Sequence, residues 1–438
     1  MLLVKSRRMV FPDGERAGSL LVREGKIAAT GEYDVQVPGA RVIETEHAVL
    51  PGIVDTHVHV NQPGRTEWEG FATACDAAAA GGITALVDMP LNSIPVTTSL
   101  RALELKREAF RSEPRRIDVG FWGGVVPGNA EELEPMVRAG ALGFKCFLID
   151  SGIEEFRWVG PAELKPAMHE LARLGAPLLV HAEVEIGAQP PPGSDARKYT
   201  TYLQSRPREM ENQAVALAAG LCAQTGARTH VVHHSSADAL AIVREARARH
   251  LPFSAETCPH YLTFVAEEIP DGATEFKCAP PIRERENREQ LWDALKDGTL
   301  SLVASDHSPC TPQLKKQEQG RFDEAWGGIS GLQLALPATW TEARKRGHGL
   351  AQLMRWMSFE PARLAGLQRH KGALATGLDA DFVLFDPDAD FEVQPAEIRH
   401  RHKLTPYAGK RLQGRVVQTF LRGEPVFDGA PRGRELSR

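Results

Sequence analysis

Between Val49 and Arg346 an apolar run of strand length and an amphipathic run of helix length alternate eight times. That repeat narrows the fold sharply, because parallel strands need long crossovers and eight such units close a TIM (β/α)8 barrel. The strand-like runs are Val49 to His59, Ile83 to Met89, Ile117 to Gly123, Ala141 to Leu148, Ala176 to Glu183, Thr229 to Ser235, Leu251 to Thr257 and Ser301 to Asp306. Helical spacing predicts helices over Ala130 to Ala139, Pro161 to Leu174, Asn212 to Gly226, Ala237 to His250 and Asn287 to Asp297, several ended by a glycine suited to a C-cap. Long polar connections at Gly187 to Arg197 and Thr311 to Gly328 follow the fifth and eighth strands, on the side where barrel loops build a site, and are read as lids.

The ends read differently. Met1 to Glu46 and Gly377 to Gly429 alternate in short strands with turns such as Pro12-Asp13-Gly14. Neither segment is long enough to bury a core alone, so the two are expected to pair. The expected organisation is a small β-sandwich domain from residues 1–48 and 375–438 beside an α/β barrel of residues 49–374.

Composition removes several function classes. A net charge of -5 with scattered basic residues gives no footprint for nucleic acid, and no glycine-rich phosphate loop or nucleotide fingerprint is present. Six cysteines stand singly, which argues against a disulfide framework or a thiolate zinc knuckle and for a reducing cytoplasm. The start lacks a signal-like apolar stretch, and no run approaches the roughly 18 apolar residues of a membrane span.

His57 and His59 lie two apart at the end of the first strand, where a period of two sends both imidazoles to one side. Two hydrogen-bonded core histidines would give the same pattern. His181, His233 or His234, and Asp306 end three further strands, and four strand ends aimed at one mouth are hard to explain by packing. Alternation allows only one of His233 and His234 to face inward and does not choose between them. Lys145 stands inside the fourth strand, where an unpaired ammonium is costly. It is either a salt-bridged or snorkelling lysine, or one that takes up carbon dioxide as a carbamate and becomes an anionic oxygen donor. A site of neutral imidazoles, one aspartate and two divalent cations would carry excess positive charge that a carbamate reduces.

Over nearly its whole length the chain resembles the cyclic amidohydrolases, and within them the allantoinase group. The stretches that carry the likeness are Asp55 to Phe71, Asp88-Met89-Pro90-Leu91-Asn92-Ser93, Gly143-Phe144-Lys145-Cys146-Phe147, Val232-His233-His234-Ser235-Ser236, Cys258-Pro259-His260-Tyr261-Leu262, Ser305-Asp306-His307-Ser308-Pro309-Cys310 and Lys403 to Gly409. The resemblance implies a carbamylated Lys145 bridging two metals, one held with His57, His59 and Asp306 and the other with His181 and His233. It selects His233 through the pattern His-x-Ser-Ser; His234, where similar proteins carry an aliphatic residue, is a departure.

The implied reaction is hydrolysis of the hydantoin ring of allantoin to allantoate, a step of purine nitrogen catabolism, with Asp306 as the catalytic proton carrier. Asn61 stands where dihydroorotases carry the arginine of HxHxR, which favours a neutral ring. Asn92, Cys278 to Pro280 and Ser308 are the expected substrate contacts, although Asn92 would serve equally well as a turn residue. Hydantoinases and dihydropyrimidinases, which share the barrel and metals, or a dihydroorotase acting on another cyclic amide remain the alternative, and a metal-free scaffold is the non-enzymatic one. Zinc is the default ion, with cobalt, manganese or iron also compatible. The resemblance further implies a homotetramer.

Overall fold

The computed structural model describes residues 1–438. Eight parallel strands form the barrel: β1 Ile53–Val58, β2 Ile83–Asp88, β3 Asp118–Phe121, β4 Phe144–Phe147, β5 Leu178–His181, β6 Thr229–Val231, β7 Phe253–Thr257 and β8 Leu302–Val303. Neighbours pair in order from β1 to β3, and from Gly123–Gly124, just past β3, on to β8. The ring closes through a parallel bridge between Val58 and His307, where His59 N donates to His307 O at 2.8 Å. Inward side chains Val54, Ala85, Val87, Leu142, Leu179 and Val232 fill the interior as one cluster. The helix Pro161–Leu174 matches its expected span, whereas the one expected from Asn212 begins at Arg208.

The terminal segments pair into one sheet of eight strands. Leu2–Phe11 is its fork: it pairs with Gly14–Arg23, with Arg41–Thr45 and, at Met9, with Ala48–Pro51, which continues to Phe382–Glu392. Leu20 and Ile27 from one arm share an apolar cluster with Phe382 and Phe420 from the other, giving the small β-sandwich its own core.

Two expected boundaries shift. The run from Val49 to His59 is not one strand, because Ala48–Pro51 joins the terminal sheet and the barrel strand starts at Ile53. Gly52 is the crossing point: its N–H donates to Asp381 O, its carbonyl accepts from Ser358 Oγ, and a Cβ there would collide with Thr84. At the other end, the last residues leave the terminal sheet for the barrel. Val119 N donates to Arg434 O at 2.9 Å, Leu436 N to Val119 O at 2.8 Å, and Leu436 packs on the barrel interior.

Lys371 joins the two layers. Its buried ammonium lies 2.6 Å from Asp118 of β3, 2.9 Å from Asp379 and 2.5 Å from Asp381, while Arg422 reaches the same Asp118 oxygen at 2.7 Å. Asp381 is held above the usual carboxylate range by burial, and Lys371 opposes that shift. Removing one partner of a buried network leaves uncompensated charge. Lys371→Met is therefore expected to cost about 3–5 kcal/mol in denaturant unfolding. In the variant nothing from Lys371 opposes the burial that raises Asp381 above the unfolded value of about 3.9, so the deficit is full at neutral pH and fades as the pH falls through that raised value.

Candidate metal centre

The site is assembled from strand ends. Asp55 begins it by accepting from His57 N at 3.1 Å and from Ser305 N at 3.2 Å, which fastens the end of β1 to the turn after β8. That fixes Asp306 beside both histidines: one of its oxygens lies 3.2 Å from His57 Nε2 and 3.6 Å from His59 Nε2. These three residues offer donor atoms within 4.8 Å of one another. His57 and His233 ring centroids are 5.3 Å apart, and those of His181 and His233 are 4.6 Å apart, so the four imidazoles form one cluster.

Outer hydrogen bonds decide which nitrogen of each ring is free. His57 Nδ1 meets Glu256 Oε1 at 2.6 Å, which places the proton there and leaves Nε2 with a lone pair towards Asp306. His59 Nδ1 meets Leu91 O at 3.2 Å with the same consequence. His181 Nε2 meets Glu183 Oε2 at 2.9 Å, so its Nδ1 carries the lone pair, 2.9 Å from His233 Nε2. Burial lowers all four imidazoles, His59 to about 3 and His181 to about 4, and keeps them neutral. His57 Nε2 and His233 Nδ1 are buried without a hydrogen-bond partner. Neutral rings with unsatisfied nitrogens around a carboxylate are a donor set that suits divalent cations.

Lys145 is fully buried on β4. Its ammonium lies 5.1 Å from the centroid of the Phe147 ring and takes part in none of the ion pairs of the structure, so the salt-bridged reading does not hold. Burial lowers it, against the pull of the Asp306 and Glu256 carboxylates, and burial raises Asp306. The backbones of His233 and Asp306 are left-handed, with φ of 39° and 44°. Strain of that kind costs roughly 1–3 kcal/mol and collects at functional sites.

The cavity over this cluster encloses about 320 Å³ and takes His59, Asn92, Lys145, His181, His233, Asp306 and Ser308 into its wall. Cys278 does not line it: Lys277 and Ala279 do, while the Cys278 side chain packs in the core and its carbonyl accepts from Tyr202. Asn61 stands behind Asn92 and accepts from its amide at 3.3 Å, so it supports the wall without being part of it. His234 turns away from the cluster towards Glu211, 3.9 Å off.

Sequence reasoning missed five residues. Glu183 and Glu256 orient His181 and His57, and His230 holds Glu256 from behind at 3.0 Å while its other nitrogen meets Ser254. Arg206 clasps Glu183 at 3.1 and 2.7 Å and lines the cavity, as does Lys277, whose ammonium burial lowers to about 8. Glu183, two residues after His181 in the run read as the fifth strand, was the one with a readable signal. Of the two lids, 311–328 contributes Leu314 and Glu324 to Gly328 to the wall, and 187–197 contributes nothing but props it through Phe322 N to Ala196 O. Lys315 pins the first by donating to Lys277 O and Trp326 O at 3.1 and 3.0 Å.

The amidohydrolase family model matches residues 48–426, which is most of the chain. This chain belongs to the amidohydrolase family. It is 51% identical over 443 residues to an allantoinase of Streptomyces avermitilis, covering 100% of this chain and 98% of that protein. An allantoinase of Arabidopsis thaliana is 45% identical across 97% of this chain and 87% of its own length. Among solved structures, an L-hydantoinase from Arthrobacter aurescens superposes with a TM-score of 0.92 at 30% identity, covering 100% of this chain and 99% of that one. Amidohydrolases are metal-dependent, and the donor cluster above fits that requirement.

Removing the carboxylate that orients a ligating histidine typically weakens metal binding by about 10–100-fold. Glu256→Ala is expected to do so here, read by chelator competition, with far-UV circular dichroism unchanged. His230→Ala should follow in the same direction by a smaller factor.

Proposed function

We propose that this protein hydrolyses the hydantoin ring of allantoin to allantoate. One observation carries the chemistry: four neutral imidazoles, Asp306 and an unpaired Lys145 meet at the floor of one cavity. Full-length likeness to allantoinases supports the choice of ring.

His57, His59 and Asp306 would hold one divalent cation and His181 and His233 a second, zinc by default with cobalt, manganese or iron also suited. When bound, such ions supply a Lewis acid and lower the pKa of water to about 7. Lys145, as a carbamate, would give both an anionic oxygen donor; its lack of an ion pair and its lowered basicity support uptake of carbon dioxide. Asp306 accepts the proton of the attacking water and returns it to the departing ring nitrogen. The water oxygen bonds to the carbonyl carbon and the amide C–N bond breaks, so that carbon becomes the carboxylate of the one ring-opened product, and no covalent enzyme intermediate is required. Asn92 and Ser308 face the ring and orient it, and the pinned loop 311–328 limits water entry. The reading includes a homotetramer in the cytoplasm; the six unpaired, buried cysteines support a reducing compartment. No helix is long and apolar enough to cross a membrane.

The test is a rate comparison with metal-loaded protein and bicarbonate: allantoin beside hydantoin, dihydrouracil and dihydroorotate. Allantoin is expected to be opened fastest, and preference for hydantoin or dihydrouracil would transfer the assignment to the hydantoinase reading. Lys145→Ala is expected to lose at least about a hundredfold in rate, the scale of one removed transition-state contact. Native mass spectrometry of the unsubstituted protein should show the added mass of one carbon dioxide, absent from that variant.

A further inference from the structure

Just past β7 the chain turns through Cys258-Pro259-His260 into the short helix Pro259–Thr263. This turn brings the Cys258 thiol, an imidazole nitrogen of His260 and a carboxylate oxygen of Asp306 within 4.8 Å of one another. Cys258 and His260 are 0% and 1% exposed, and the reaction proposed above uses neither. A buried imidazole is normally hydrogen-bonded, and leaving one unsatisfied costs roughly 1–3 kcal/mol. The Nε2 of His260 nevertheless has no partner. A thiol, an imidazole with an unpartnered nitrogen and a carboxylate thus converge at the edge of the metal centre.

We propose that Cys258, His260 and Asp306 form a further cation site, selective for thiophilic divalent ions such as cadmium or excess zinc, that draws Asp306 away from the reaction. The donor set fits such an ion. Binding expels the Cys258 thiol proton to solvent, the resulting thiolate and the carboxylate balance the charge of one divalent cation, and a sulfur ligand selects zinc and cadmium over magnesium or manganese. Tetrahedral zinc with bonds of roughly 2.0–2.3 Å holds its ligand atoms about 3.3–3.8 Å apart, so closure moves these side chains by about an ångström. Asp306 lines the cavity, whereas Cys258 and His260 are buried and do not. Asp306 also belongs to the triad with His57 and His59, so an ion held by Cys258 and His260 competes for that carboxylate. The inhibitory consequence rests on the proposed role of Asp306 as proton carrier; the binding does not.

The experiment is a cadmium titration of protein already carrying two equivalents of metal, following bound metal, the ultraviolet thiolate-to-cadmium absorption and the rate of allantoin opening. The unsubstituted protein is expected to take a third equivalent with the absorption band. At ten times the dissociation constant of that step, mass action leaves about a tenth of the molecules free, so the rate falls about tenfold. Cys258→Ser is expected to lose the band and the third equivalent, His260→Gln to weaken that step, and both to lose less than about half their rate at the same cadmium concentration. His260→Gln keeps the test alive should the serine variant fold poorly. A third equivalent bound equally well by both variants, or no thiolate band in the unsubstituted protein, overturns the proposal. A band and third equivalent without loss of rate would keep the site and remove its competition for Asp306. Failure to reach two equivalents at all would strike the two-metal reading, while the thiolate band would still report on Cys258.

Discussion

Closure of the barrel between its last strand and its first is the contact on which the site depends. His57 and Asp306 are far apart in the chain and meet because His59 donates to the His307 carbonyl and Asp55 accepts from both His57 and Ser305. A slip of one residue at this seam would turn every side chain of β1 to its other face and remove both histidines together. Fold and chemistry therefore share a constraint: the carboxylate that secures the seam is two residues from the first metal-capable histidine.

Around that seam the centre is built in two layers. The inner one presents lone pairs, and the outer one assigns protons: Glu256 to His57, the Leu91 carbonyl to His59, Glu183 to His181. The outer carboxylates are supported in turn, Glu256 by His230 and Glu183 by Arg206. Deeply buried acids stay useful because each has a partner, which is the condition for retaining charge away from water.

The inner layer was legible because strand alternation and strand ends are written into the chain. His57 and His59 share a face by period two, and eight repeats supply a common mouth. The outer layer was less so. Glu256 stands among Ser254, Ala255 and Thr257 with nothing in its local pattern to connect it to a histidine 199 positions earlier; only the curvature of the sheet brings them together. Arg206 and Lys277 are ordinary basic residues until loop packing turns them to the cavity. The first strand was misjudged for a different reason: Ala48 to Pro51 and Ile53-Val54 are apolar on the two sides of Gly52, and hydropathy does not record a change of sheet. Of the stretch Cys278 to Pro280, Ala279 reaches the cavity and Cys278 does not.

The left-handed backbone at His233 and Asp306 sets stability and function against each other. A glycine at either position would relax the chain and remove a side chain the chemistry needs. Selection for folding alone would thus erode the site from two sides, one in each proposed half of the metal centre. A lineage released from the need for catalysis would have a downhill route to a sturdier, inert barrel through these two positions.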